Sequence, residues 1–136
     1  MIYATLSRNE ITIHNQSRFF FEDGIQDDAE WPIPLHYRTD SQRDAKMQWL
    51  RSDHNKVTWP LEERSKWVII NTGGLSYVKV LYDRRNYAAL AKQLKTDHSA
   101  ISAIDRTMIL ADAFDLAKTS KLSIATYLDL LVYAEG

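Results

Sequence analysis

The sequence predicts an α+β chain: an antiparallel, immunoglobulin-like β-sandwich over residues 1–83, then about three helices over residues 84–136. Three observations carry this. All four Trp and all three Pro precede residue 83, whereas ten of the thirteen Ala follow it. Aromatic and β-branched residues suit half-buried strands, and Ala and Leu suit helices. The apolar period also changes, from two in the first part to 3.6 in the second. Finally, the first part breaks into about seven short runs separated by turn-forming residues, the pattern of a sandwich.

Among the strands, a weak one is expected at residues 2–7. Ile11 and Ile13 share a face of a segment that continues into Phe19, Phe20 and Phe21, and Trp31, Ile33, Leu35 and Tyr37 keep strict alternation. Pro32 and Pro34 occupy the other parity and remove two ladder donors, which places that strand at an edge or beside a bulge. Weak strands are expected at 47–50 and 57–59. Residues 66–71 and 76–82 flank Thr72-Gly73-Gly74-Leu75, which reads as the turn of a β-hairpin.

Three caps open the helices. Asp83 can cap the first, whose Tyr87, Leu90, Ala91 and Leu94 form one stripe. Ser102 can cap the second, with Ile104, Met108, Leu110, Ala111, Phe114 and Ala117 on a face wide enough for burial on more than one side. Ser123 can cap the third, with Ile124, Tyr127, Leu128, Leu131 and Val132. These faces are too broad for three helices to cover one another, so they read as the first turns of a larger helical array.

Composition excludes several functions. Seventeen basic and eighteen acidic residues leave a net charge of -1, no footprint for nucleic acid or an anionic membrane. No cysteine is present, so thiolate chemistry, disulfides and cysteine-zinc sites are excluded. No apolar run is long enough to span a bilayer, and the opening residues lack the features of a secretory signal. The compartment stays open.

No catalytic, cofactor-binding or metal-binding residue is assigned. His14, His36, His54 and His98 lack the helical spacing of paired ligands and read as solvated or hydrogen-bonded side chains. Asp27, Asp28 and Glu30, and again Glu62 and Glu63, read as solvated loop acids. Asp112 and Asp115 can pair with Lys118 at helical spacing. Gly73-Gly74 lacks the Lys-Ser/Thr ending of a phosphate loop, and no Gly-x-Ser-x-Gly elbow occurs. Asn15-Gln16-Ser17 matches a glycosylation acceptor, but Asn15 shares the inward parity of Ile11 and Ile13. The tryptophans read as core, because no basic groove accompanies them.

Trp67-Val68-Ile69-Ile70-Asn71, then Tyr77-Val78-Lys79-Val80-Leu81-Tyr82-Asp83, resembles the W-V-x-x-N...Y-Y-R-V-N-Y-D segment of aminopeptidase N-type (gluzincin) zinc aminopeptidases. Gln16-Ser17-Arg18-Phe19 and Trp31-Pro32-Ile33-Pro34-Leu35 are similar to that family's Q-x-R-F and W-x-I-P-L strands. Gln93-Leu94, His98-Ser99-Ala100-Ile101 and the run from Asp105-Arg106 to Leu116-Ala117 resemble the helices beyond that segment. Ser76, Lys79 and Leu81 depart from the usual Tyr, Arg and Asn without disturbing the β pattern.

The resemblance implies a β-sandwich and the first helices of a C-terminal helical (ERAP-like) domain. The family's His-Glu-x-x-His zinc motif and Gly-x-Met-Glu-Asn segment are absent, so zinc is expected in the parent's catalytic domain and no cofactor in this chain. The implied role is that of a noncatalytic spacer or hinge segment of an enzyme that removes N-terminal residues from peptides. Its implied partners are the parent's catalytic and remaining helical domains, with self-association through an exposed helical face as a further expectation. The alternative is an independent or truncated protein-interaction module. At 136 residues the chain is far shorter than the enzymes it resembles, so the parent's substrate preference, anchoring and oligomeric state stay open.

Overall fold

A computed structural model describes residues 2–7, 9–15, 33–50, 56–61, 63–76 and 78–135. These residues form seven strands and three α-helices: β1 (Ile2–Ser7), β2 (Glu10–Asn15), β3 (Ile33–Thr39), β4 (Gln42–Leu50), β5 (Lys56–Pro60), β6 (Val68–Ile70), β7 (Val80–Tyr82), α1 (Arg84–Asp97), α2 (Ala103–Lys118) and α3 (Ile124–Leu131). The strands make two sheets, one ordered β5-β2-β1-β7 and the other β4-β3-β6. Phe19, Phe20, Phe21, Trp31, Pro32, His54, Glu62 and Tyr77, and the acids Asp27, Asp28 and Glu30, lie outside the described residues.

Alternation positions the sandwich core. Ile2 and Ala4 of β1, Ile11 and Ile13 of β2, and Leu35 and Tyr37 of β3 point inward and are buried, while the intervening side chains are more exposed, as the two-residue period of a strand requires. Trp59 of β5 stacks on Tyr37 across the sandwich, with ring centroids 5.5 Å apart. Pairing is antiparallel throughout except between β1 and β7, which run parallel with Ile2 opposite Val80.

Of the two alternatives for β3, an edge or a bulge, the edge does not hold, because β3 is the central strand of its sheet, while its register with β4 does shift between Tyr37 and Thr39. Pro34 is accommodated because β6 pairs only with Tyr37, Arg38 and Thr39, leaving the other end of β3 paired with a strand on the β4 side alone, where the Pro34 carbonyl accepts from the Ser76 hydroxyl. The hairpin at Thr72-Gly73-Gly74-Leu75 does not form. β6 and β7 belong to different sheets, so the turn is a crossover. Asn71, Gly73 and Gly74 do adopt positive φ, of 64°, 80° and 67°, but they wind a short 3-10 turn that carries the chain across the sandwich. A side chain at Gly74 would also meet the Met108 sulfur at 2.9 Å.

The helices pack on the sandwich. Tyr87, Leu90, Ala91 and Leu94 of α1 are buried, as the stripe predicts. The α2 face differs from expectation: Ile109, Ala113 and Leu116 are buried together with Asp105, whereas Ile104 is 60% and Phe114 46% exposed. In α3 the fully buried residue is Leu130, while Ile124 and Leu128, and Val132 just past its end, are exposed. Sequence alone cannot choose between the two apolar sides of such helices. One hydrophobic cluster, from Ile2 through Ile70 and Tyr82 to Leu90, Ile101, Ile109 and Leu130, runs across residue 83 without a break.

Candidate functional site

The most chemically organised region is the seam where the helices meet the two sheets. Its starting point is the short length of β6 and β7. Among the described strands each borders its sheet with one row of backbone groups unpaired by a strand, and a buried backbone polar group left unpaired costs about as much as a lost hydrogen bond. Side chains fill that role. Asn86 of α1 accepts from the Val68 amide at 2.8 Å and donates to the Val68 carbonyl at 3.0 Å. The Tyr82 hydroxyl accepts from the Ile70 amide at 2.9 Å and donates to the Ile70 carbonyl at 3.4 Å. On β7, the Val80 amide donates to Asp112 of α2 at 3.3 Å.

Asp105 ties the crossover turn to α2. Buried, it accepts from the Thr72 hydroxyl at 2.5 Å and from the Gly73 amide at 2.8 Å, while its own amide donates to the Ser102 cap at 3.2 Å. The turn is braced internally by Asn71, whose side chain donates to the Ser76 carbonyl and accepts from the Ser76 amide. Further along, Arg38 of β3 donates to the Ala100 carbonyl at 2.6 Å and lies over the Trp67 ring at 5.6 Å. Ser123 caps α3 as expected, accepting from the Thr126 amide. Asp83 does not cap α1 with its side chain. Its carboxylate instead accepts from the Leu6 amide of β1.

Burial also sets protonation here. It pushes the Tyr82 hydroxyl well above its ordinary value and Tyr87 up to about 12, so both stay neutral and serve as hydrogen-bonding or packing groups. Asp112 is pushed up to about 6, first by burial and less by neighbouring Asp115, against the Val80 amide and Lys79, which favour the charged form. Asp115 pairs with Lys79 at 3.1 Å and with Lys118 at 3.9 Å. The expected pairing with Lys118 therefore occurs at Asp115, while Asp112 faces the sheet.

An open cleft of about 370 Å³ lies at one end of the seam, lined by Tyr3, Leu81, Asp83, Arg84, Tyr87 and Ser123 among others. None of the described histidines lines it. His14 lies in β2 against Tyr3, His36 in β3, and His98 after α1 near Tyr133. Among the described residues no group of three His, Asp or Glu is placed to share a metal ion, so these side chains do not fit a zinc centre. Trp59 and Trp67 are core, as expected, but Trp49 is 50% exposed on β4. Asn15 ends β2, in backbone phase with Ile11 and Ile13; the rest of its motif lies outside the described residues. Among the described residues, no helix is long and apolar enough to cross a membrane.

Sequence reasoning assigned no role to the Asn86 and Asp105 side chains, and for Asp112 it suggested a pairing with Lys118 in place of the Val80 amide. The available signal was a polar residue inside an apolar helical run, clearest in Leu110-Ala111-Asp112-Ala113-Phe114.

A seven-stranded sandwich continuous with a helical layer and joined to it by buried side-chain bonds defines the class of domain. Comparison gives that class a family: the ERAP1-like C-terminal domain model matches residues 67–136, and the chain belongs to this family. Relatives share the pattern beyond that region. Human endoplasmic reticulum aminopeptidase 1 is 34% identical over 134 residues, covering 98% of this chain and 14% of the human protein. Rat aminopeptidase N is 33% identical over 94 residues, covering 69% of this chain and 10% of its own length. Aminopeptidase N of Plutella xylostella is 31% identical over 124 residues, or 87% and 13%. The chain thus spans about a tenth to a seventh of the length of these curated relatives, and its sequence is that of part of a peptidase-like protein.

Proposed function

We propose that these residues form a noncatalytic coupling segment of a zinc-dependent aminopeptidase that removes N-terminal residues from peptides. The observation that carries the reading is the seam: a single core crosses residue 83, and Asp105, Asn86 and Arg38 fasten the helices to the strands. Such a segment holds a sandwich and a helical layer as one stiff spacer, so movement between a catalytic and a helical domain would hinge at the margins of this segment, away from residue 83. The outward face of Ile104, Phe114, Ile124, Leu128 and Val132 would then be covered by further helices or by the catalytic domain of the same protein. The net charge of -1 agrees with protein partners in preference to nucleic acid or membrane.

Zinc content and turnover of a fluorogenic aminoacyl amide by the purified chain test the reading. Neither is expected. Zinc at unit stoichiometry together with turnover would overturn it. The same exposed face supports a second reading, a free-standing interaction module that associates with itself or another protein. Sedimentation of the longest natural polypeptide containing these residues separates the two: a covered face predicts no association through α2 and α3, whereas a module predicts association that Leu128→Ser weakens.

A further inference from the structure

Asp112 is a seam acid whose position neither cap nor surface pairing explains. Asp112 sits in the middle of α2 and turns toward β7, where it receives the Val80 amide at 3.3 Å. That amide lies on the row of β7 groups not used by β1, which pairs with β7 along its other side. The carboxylate therefore stands in for a strand. One turn on, Asp115 holds Lys79 at 3.1 Å, with Lys118 at 3.9 Å on its far side. The groups facing Asp112 are Lys79 just before β7, Tyr82 from β7, Tyr87 from α1 and Asp115 from its own helix, with Asp83 acting on Tyr87 from the position before α1.

We propose that Asp112 makes the docking of α2 on the β7 edge proton-sensitive, so that the seam tightens when Asp112 is protonated and loosens when it is ionised. Two physical effects lead there. A carboxylate removed from water at an interface carries a desolvation cost that its neutral form escapes. Ionised Asp112 also meets a like charge from Asp115, whose own attraction to Lys79 competes for the nearest cation. A neutral carboxyl keeps its carbonyl oxygen as acceptor for the Val80 amide, so protonation removes the cost without removing the bond.

Linkage sets the direction of the pH effect. The Asp112 carboxyl is raised to about 6 in the folded chain, against an ordinary value of about 3.9. A raised acid contributes stability that is complete below the ordinary value and disappears as pH rises through the folded one. Opening of the seam should therefore grow roughly three- to tenfold between about pH 5 and pH 7.5, the upper figure holding without solvent screening.

Hydrogen exchange of the Val80 amide and of the α2 amides, corrected for intrinsic exchange rates, measures that opening. In the unsubstituted chain protection should fall over this range, and in Asp112→Asn, which keeps an acceptor but cannot ionise, the dependence should flatten. Equal pH dependence in the two proteins, or none in the unsubstituted chain, would overturn the proposal. A carboxyl-carbon NMR titration of the unsubstituted chain decides independently of how the variant folds: a midpoint for Asp112 near 6 supports the latch, and one in the ordinary carboxylate range refutes it.

Discussion

The inner and outer faces of α2 and α3 are built from similar side chains and meet opposite environments. Ile109, Ala113, Leu116 and Leu130 are buried, all but Leu116 in the cluster shared with α1 and the strands, whereas Ile104, Phe114, Ile124 and Leu128 lie at the surface. Hydrophobicity does not separate them. Polar residues do: Asp105 and Asp112 mark the inner side of α2, where they complete backbone hydrogen bonds of the crossover turn and of β7. In a helix apolar on two sides, the side that carries well-placed acceptors is the one the sheet edges can use. On the outer side Phe114 meets Tyr127 of α3 and the Lys118 ammonium, and Ile104, Ile124 and Leu128 stay exposed.

The largest test of that contrast is Leu90→Ala. Leu90 is fully buried in the cluster that joins sandwich and helices, and its truncation should cost about 2–5 kcal/mol in urea unfolding. Both layers should lose stability in one transition, which parallel fluorescence and circular dichroism would reveal. Two transitions, with only the helical signal displaced, would show that the layers are not coupled.

Asp105→Ala comes next, leaving the Thr72 hydroxyl and Gly73 amide without their acceptor. A loss of about 2–4 kcal/mol is expected, more than a surface acid yields, because two bonds are lost at once and the abandoned Thr72 hydroxyl is buried and bears its own desolvation cost. Calorimetry of the variant would read it, and a change below about 1 kcal/mol would make the turn's contact with α2 incidental.

Asn86→Leu is close to volume-conserving yet strips the Val68 amide and carbonyl of both partners. About 1–3 kcal/mol should be lost. Because β6 would also regain a free edge, aggregation should rise; light scattering during expression at moderate temperature checks that outcome.

The smallest effect belongs to the outer face. Leu128→Ser should shift the stability of the 136-residue chain by no more than about 0.5 kcal/mol, since an exposed position has little burial to lose. Its thermal midpoint is the measurement. A loss comparable to that of Leu90→Ala would mean the outer face is already packed in solution.

Much of the fold was legible because strand and helix periods are local. The two-residue alternation in β1, β2 and β3 and the stripe Tyr87, Leu90, Ala91 and Leu94 need no distant partner to be recognised. Ser102 and Ser123 were legible as caps because a cap contacts residues two or three positions on. Asp83 was not, since its carboxylate found the Leu6 amide, far away in sequence, before the helix it begins. The hairpin misled for a related reason. Gly73 and Gly74 announce a turn, but a turn does not state which strand its ends will join, and Asp105 and the separate sheets decide that.

By itself the sequence determined that strands precede helices, where most of them lie, and a resemblance to aminopeptidases over nearly all its length. Only the tertiary structure decided which face of α2 is inner, that β6 and β7 part into different sheets, and that Asn86, Tyr82 and Asp112 finish those sheets in place of strands. The physical reason is range. Periodicity and caps act over a few residues, whereas the satisfaction of a sheet edge joins groups such as Val80 and Asp112, 32 positions apart, and exists only once the chain has folded.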